Sequence, residues 1–210
     1  MNCDVFRDLL ARSFAQMARA AVRSGGGVQV PKAALDQPPM EIHTLGDAVL
    51  RTPAKRISKV DDAVRELARD MLRSMYTAKG IGLAAPQVGV HKQLLVIDLD
   101  PDNPAAPPMV LINPEIRSFG SGVDTYEEGC LSIPGVYLNV VRPTVVEVSF
   151  RDEMGRPQKL KADGLLARCI QHEMDHLNGV LFVDRVTDEL SLNQELQENG
   201  FERAAVRSIR

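Results

Sequence analysis

Cys169-Ile170-Gln171-His172-Glu173-Met174-Asp175-His176-Leu177-Asn178-Gly179 is the stretch on which the reading of this chain turns. Wound at about 100° per residue, it forms a helix with three arcs. Leu165, Cys169, His172 and His176 share one arc, and Leu166, Ile170, Met174 and Leu177 share a second, with Glu173 on the border between them. Arg168, Gln171, Asp175 and Asn178 make a polar third. His172 and His176 stand one turn apart, so both imidazoles reach a single point, the geometry a divalent metal needs. Glu173 leans toward the place of a metal-activated water. Asn178-Gly179 ends the helix, glycine supplying a left-handed residue. Taken singly, each histidine reads as a core residue. Two of only four histidines at i and i+4, with Glu between them, point instead to a metal site of the His-Glu-x-x-His kind.

Composition narrows the classes. With 210 residues there is room for one domain with a real core and some spare chain at the ends. A charged fraction of 25% and an apolar fraction of 44% match an ordinary soluble globular protein. The net charge of −3, without a basic stripe interleaved with aromatics, argues against nucleic-acid binding as the main activity. No apolar run approaches the ~18 residues of a membrane span, so no membrane role is expected. Cys3, Cys130 and Cys169 are an odd, sparse set, which suggests a reducing compartment and no disulfide framework.

Residues 1–39 read as an N-terminal extension. Arg7, Arg12, Arg19 and Arg23 alternate with Val5, Leu9, Leu10, Phe14 and Met17 as a basic amphipathic helix, broken by Ser24-Gly25-Gly26-Gly27 and Pro38-Pro39. A transit peptide has this pattern, and so does a flexible extension, which Asp4 and Asp8 favour. The folded domain is expected over 40–187, starting near Met40, with a polar, weakly helical tail over 188–210. Asp61 caps a helix with Val64, Leu67, Ala68, Met71, Leu72 and Met75 on one face, which Gly80 stops. Strands follow at 93–98 and 109–112, separated by a Pro- and Asn-rich loop. Residues 118–135 are Gly-rich, and Cys130 falls there in what reads as a flexible loop. Val146, Val148 and Phe150 alternate with polar residues, and the chain turns at 152–155 to return through 158–162. Asp163 then caps the metal helix. Short antiparallel strands around isolated helices indicate an α+β fold.

Gly80-Ile81-Gly82-Leu83-Ala84-Ala85 also fits a dinucleotide-binding fingerprint, but a helix enters it and Pro86 keeps a helix from following. It reads better as a close-packed backbone segment able to pair with an extended peptide. The metal needs a third ligand. Position 182, where one protease family has His, is Phe182. Glu195 lies at the separation a thermolysin-like enzyme would use, and Cys130 offers a thiolate upstream. The residues alone leave this choice open.

Gly80-Ile81-Gly82-Leu83-Ala84-Ala85-Pro86-Gln87, Glu128-Gly129-Cys130-Leu131-Ser132 and Gln171-His172-Glu173-Met174-Asp175-His176 resemble, in order, the three signature motifs of the peptide deformylases. The similarity runs from about residue 40 to residue 185 and is greatest to the cyanobacterial and plastid branch. The resemblance implies antiparallel sheets around a central metal-binding helix. It implies removal of the formyl group from N-formylmethionine on nascent chains, with release of formate. One divalent metal per chain would be held by Cys130, His172 and His176. Fe(II) is the family's metal, and zinc, nickel or cobalt can substitute. Glu173 would move the proton, with the Gln87 side-chain amide and the Leu131 backbone N–H facing the formyl oxygen. Gly80, Ile81, Gly82, Glu128, Gly129 and Cys169 would bind substrate, with Ile81, Glu128, Leu131, Cys169 and His172 around the methionine side chain. Arg168 stands where many bacterial relatives carry an apolar residue. The polar tail lacks the long basic helix with which some relatives dock on the ribosome, so direct ribosome binding through this tail is not expected and any ribosome contact would be transient. The expected location is the cytoplasm, or the plastid stroma if residues 1–39 direct import. A zinc endopeptidase and a non-catalytic metal-binding domain are the rival readings.

Overall fold

The computed structural model describes residues 28–209. The expected basic amphipathic helix before Ser24 lies outside the described residues. Seven strands form two sheets: β1 (Gly82–Ala84), β2 (Leu94–Ile97), β3 (Met109–Phe119), β4 (Val123–Cys130), β5 (Ile133–Pro143), β6 (Val145–Arg151) and β7 (Pro157–Asp163). One antiparallel sheet has the order β1-β2-β3-β6-β7, and β4 and β5 pair only with each other. Among the described residues three α-helices accompany them: α1 (Asp62–Thr77), α2 (Gly164–Leu177) and α3 (Glu189–Glu198). The class is α+β, with α2 at the centre.

β2 shows why α2 is central. All four of its residues are buried. Leu94 and Val96 join Met71, Leu72 and Met75 of α1 in one core, while Leu95 and Ile97 join Ala167 and Ile170 of α2 in another. Alternate side chains point to opposite faces of a strand, so this short apolar run is covered by a helix on each side. The expected β6–β7 hairpin closes over α2, with Val146 opposite Ala162 and Val148 opposite Leu160. Val146, Val148 and Phe150 are buried in the same core as α2.

The helix ends carry their own signals. The Asp61 side chain accepts from the Val64 N–H at 3.1 Å, as an N-cap should. At the other end of α1 the left-handed residue is Lys79 (φ 57), not Gly80. The Lys79 N–H bonds to Tyr76 O and the Gly80 N–H to Met75 O, the pairing of a Schellman cap. α2 ends the same way at Gly179 (φ 74), where a Cβ would also press on the Arg51 backbone. Asp163 holds the N-cap position of α2, but its side chain makes no capping hydrogen bond.

Three segments differ from the sequence reading. Residues 123–130 and 133–143 form a hairpin, so Cys130 ends a strand and does not sit in a flexible loop. As Pro86 leads one to expect, no α-helix follows β1, and Ala85–Val88 makes a single 3-10 turn. The C-terminal segment packs: Leu192, Leu196 and Val206 are buried with Val136, Leu138, Val140 and Phe182 in a third core. Ordered contacts begin before Met40. Val28 is buried among α1 residues, and the Lys32 ammonium sits 2.6 Å from the fully buried Asp98 carboxylate. Tyr76 also donates to Asp98, at 2.7 Å. Among the described residues, no helix is long and apolar enough to cross a membrane.

The Lys32–Asp98 pair makes two truncations distinguishable. Removing residues 1–27 should leave the melting temperature unchanged. Removing residues 1–38 strands the Asp98 carboxylate and should cost on the order of 3 kcal/mol. That corresponds to about 6–12 °C in Tm for a chain of this size. Catalysis per folded molecule should stay within about tenfold, because no motif residue is lost. Calorimetry on the two truncations checks this; equal Tm values would show that Lys32 contributes nothing.

Candidate metal centre

Three elements meet at the N-terminal side of the cleft. α2 carries His172 and His176, the end of β4 carries Cys130, and the 3-10 turn after β1 carries Gln87. The Cys130 Sγ lies 3.3 Å from His176 Nε2, which lies 3.3 Å from His172 Nε2. All three candidate ligand atoms fall within 4.8 Å of one another. Ligands ~2.0–2.3 Å from one tetrahedral ion stand roughly 3.3–3.7 Å apart, so the spacing suits a divalent metal. Burial, then the neighbouring His172, holds the His176 imidazole well below its ordinary pKa, which keeps a lone pair available. Glu195, the other candidate ligand, lies outside this group. Phe182, at the position where another family would place a third histidine, stacks on His172 with ring centroids 5.9 Å apart.

The thiolate is supported by donors. The Ser132 backbone N–H donates to Cys130 Sγ at 3.4 Å, and Gln87 Nε2 approaches it at 3.6 Å. Gln87 is held by the Ala84 N–H donating to its Oε1 at 2.8 Å, so its amide N–H group is turned toward Cys130 and Ser132 Oγ. A register shift between Gly129 and Cys130 re-aims the end of the strand.

Glu128 stands two residues before Cys130 on the same strand. Its carboxylate accepts from His172 Nδ1 at 2.9 Å, from Arg142 at 2.6 and 2.9 Å, and from Arg168 at 2.7 Å. Burial would raise its pKa, but the His172 and Arg142 hydrogen bonds and charges outweigh this and hold it well below the usual carboxylate range. A carboxylate on the far nitrogen of a ligating histidine fixes its tautomer and ring orientation. Glu128 therefore lines the cleft, as expected, but its polar atoms are spent on the site's framework. Arg142 continues to Asp175 at 2.7 Å, and Asp175 takes Arg185 at 2.6 and 2.5 Å. Most of the polar arc of α2 is thus buried, Arg168 and Asp175 in ion pairs and Gln171 on the Pro143 and Ala167 carbonyls, each under 9% exposed. Sequence reading missed Arg142 and the role of Asp175. Their partners lie 14 and 33 residues away in the chain, beyond the reach of any local pattern.

Beside this group runs a cleft of about 610 Å³. Gly80, Ile81, Gly82, Gln87, Glu128, Gly129, Cys130, Leu131, Cys169, His172 and Glu173 all line it, whereas His176 sits behind, 1% exposed. Tyr126, Tyr137 and Leu165 complete its walls, and neither tyrosine was singled out from sequence. The Arg168 guanidinium also donates to Val140 O and Asp124 O, both at 2.9 Å, with the Tyr126 ring 5.7 Å from it. Its charge is turned into the wall, and its stem is what remains to face the cleft. Gly82 is glycine for space: a Cβ there would strike the Glu173 carboxylate and approach Cys169 Sγ to 2.9 Å. Glu173 is 4% exposed, and its Oε2 has no partner among the described residues. Burial pushes its pKa up to about 7, where a carboxylate can both take and return a proton near neutrality.

Comparison with known proteins agrees across the chain. A profile of the polypeptide deformylase family matches residues 39–191. A peptide deformylase of Synechococcus sp. (strain CC9605) is 74% identical over 200 residues, 95% of this chain and 100% of that protein. The peptide deformylase 2 of Prochlorococcus marinus (strain MIT 9313) is 70% identical over the same shares. Among solved structures, a peptide deformylase from Synechococcus elongatus in complex with actinonin superposes with a TM-score of 0.87 at 60% identity, covering 88% of this chain and 100% of that one. One from Legionella pneumophila gives 0.70 at 43%, covering 76% and 94%.

Replacing Glu128 with Gln keeps its shape but removes the charge that Arg142, Arg168 and His172 address. Metal affinity, read by chelator competition, should fall about 10–100-fold, the usual loss for the outer partner of a ligating histidine. Unchanged affinity in a folded variant would show that Glu128 does not orient His172.

Proposed function

Because the chain belongs to the polypeptide deformylase family, metal-dependent hydrolases that remove the N-formyl group from the first methionine of nascent polypeptides and release formate, we propose that Cys130, His172 and His176 hold its metal and that Glu173 moves the proton. The observation that carries this reading is the pairing of a three-ligand cluster with a buried, unpartnered carboxylate oxygen in one cleft. When bound, a divalent metal supplies Lewis-acid polarisation and makes a nucleophile of water at neutral pH. One thiolate and two imidazoles suit several first-row metals, and affinity order alone would not select iron. Iron(II) is assigned through the family pattern, with zinc, nickel or cobalt able to replace it.

The chain's own residues then divide the work. Glu173 Oε2 accepts a proton from the attacking water and returns it to the leaving amine. Negative charge builds on the formyl oxygen, and the Gln87 amide, pre-aimed by Ala84, with the Leu131 backbone N–H, donates to it. β1 is the terminal strand of its sheet, so the backbone on the free side of Gly80, Ile81 and Gly82 can pair with an extended peptide. The methionine side chain is received between Ile81, Leu131, Leu165 and Cys169, against the stem of Arg168 and the Tyr126 ring, with Glu128, Gly129 and His172 behind. Residues 40–187 form the catalytic unit in this reading, 1–39 an extension and 188–210 a C-terminal segment. The enzyme belongs in the cytoplasm, supported by sparse free cysteines and cyanobacterial relatives, or in a plastid stroma if the extension directs import. Transient contact with the ribosome fits its substrate.

The test is formate release from a formyl-Met peptide under anaerobic conditions, measured against metal content. Cys130→Ala should abolish metal retention, while Glu195→Ala should leave metal and activity nearly unchanged. Glu173→Ala should keep metal but lose roughly 10²–10⁴ in turnover. Loss of metal from the Glu195 variant, with retention in the Cys130 variant, would favour the peptidase reading and overturn the ligand assignment.

A further inference from the structure

We propose that the outer face of β3, β6 and β7, away from α2, is a docking surface for the phosphate backbone of RNA. A groove of about 490 Å³ lies there, lined by Arg56, Arg117, Arg151 and Lys159, with Glu115 the one acidic residue in its lining. Glu115 is taken by Arg117 at 2.7 Å, and Arg117 also donates to Ser149 Oγ at 2.7 Å. Arg56, Arg151 and Lys159 are exposed and have no acidic partner among the described residues. A chain with a net charge of −3 has therefore set three cations that have no ion-pair partner among the described residues around one groove, while farther along the same face Glu147 stands opposite Lys161.

The basic segment is fastened there. Asn113 of β3 is 6% exposed and holds a left-handed backbone (φ 51). Its carboxamide accepts from the Ile57 N–H at 2.7 Å and donates to Ile57 O at 2.8 Å. This ties residues 55–59 to the sheet and sets Arg56 over the groove, with Lys55 and Lys59 exposed on either side. Lys55 in turn bridges to the exposed Lys92. No acidic residue occurs between Asp47 and Asp61, so this edge has no internal neutralisation.

The chemistry favours phosphate over base or lipid. Phe150, the aromatic in the lining, is 6% exposed and offers no stacking platform, so contact is with the backbone and independent of base sequence. A concave polar groove gives a membrane no apolar face to insert. The C-terminal helix α3 carries Glu189, Glu195 and Glu198 and would repel a polyanion. Nascent polypeptides leave a particle surfaced largely by RNA, and this groove would keep the enzyme near them. It shares no lining residue with the catalytic cleft, so both can be occupied together.

The test uses the metal-loaded full chain and a labelled double-stranded RNA hairpin, with anisotropy followed from ~50 to ~200 mM salt. The Arg56→Glu/Arg151→Glu/Lys159→Glu variant should bind more than ~tenfold more weakly at low salt, with a log–log salt slope shallower by about 2–3. Its kcat/KM on a free formyl-Met peptide should stay within about twofold. The milder Arg151→Gln/Lys159→Gln variant should show a smaller loss of the same kind. A control with equal charge change elsewhere, Arg69→Glu/Arg73→Glu/Arg203→Glu, should keep most of the affinity. The proposal is overturned if wild type does not bind at the lowest salt, or if the control loses as much as the groove variant. Tighter binding to phosphatidylserine vesicles or to polyglutamate than to RNA would also overturn it.

Discussion

The Glu128 carboxylate receives hydrogen bonds from Arg142 on β5 and from Arg168 and His172 on α2, and through them the β4–β5 hairpin is joined to the central helix. That hairpin pairs with neither edge of the five-stranded sheet, so side-chain contacts to α2, together with its short link through Thr144 to β6, set its position. The consequence is geometric. Cys130 is delivered by the hairpin and both histidines by the helix, so the distance between thiolate and imidazoles depends on this buried charge network. Taking Glu128, Arg142, Arg168 and Asp175 out of water costs several kcal/mol per ion, and a well-packed apolar cluster would often be as stable. What an apolar cluster lacks is direction. Hydrogen bonds to a fixed carboxylate set the register between two elements to within tenths of an ångström, and a metal site needs that precision.

The parts of the fold that follow a local period were legible. The face of α1, its Asp61 cap, the β6–β7 alternation and the one-turn spacing of His172 and His176 can each be read from a window of a few residues. β4 could not be read this way. Val123 to Glu127 are all exposed, and the covered positions that follow carry Glu128 and Cys130, so it shows neither alternation nor an apolar run. The same limit hid the burial of Arg168 and Asp175, because residues that look solvated on a helix become core once partners arrive from distant strands. α3 presents only Leu192 and Leu196 as buried positions, too few for a strong periodic signal. Whole-chain charge is silent on placement in a related way: a net of −3 averages over the groove of Arg56, Arg117, Arg151 and Lys159 and an acidic helix on the same molecule.

Among the site residues, those named by motif line the cleft or stand directly behind it, whereas Arg142 and the positioning roles of Glu128, Arg168 and Asp175 went unseen. Tyr126 and Arg168 illustrate the difference. Arg168 alone reads as a charge intruding on an apolar wall. With Val140 O, Asp124 O and Glu128 around its guanidinium, it becomes a strut whose methylenes serve as wall.

The terminal position of β1 sets how much of a substrate the enzyme can inspect. In the proposed binding mode a strand recognised through its amides would be held by atoms that every residue shares, while the methionine site would take the first residue. Beyond that residue the cleft offers little against which a sequence could be wrong. An enzyme built this way is a generalist by construction: one copy of the fold can serve thousands of different chains, provided each begins alike.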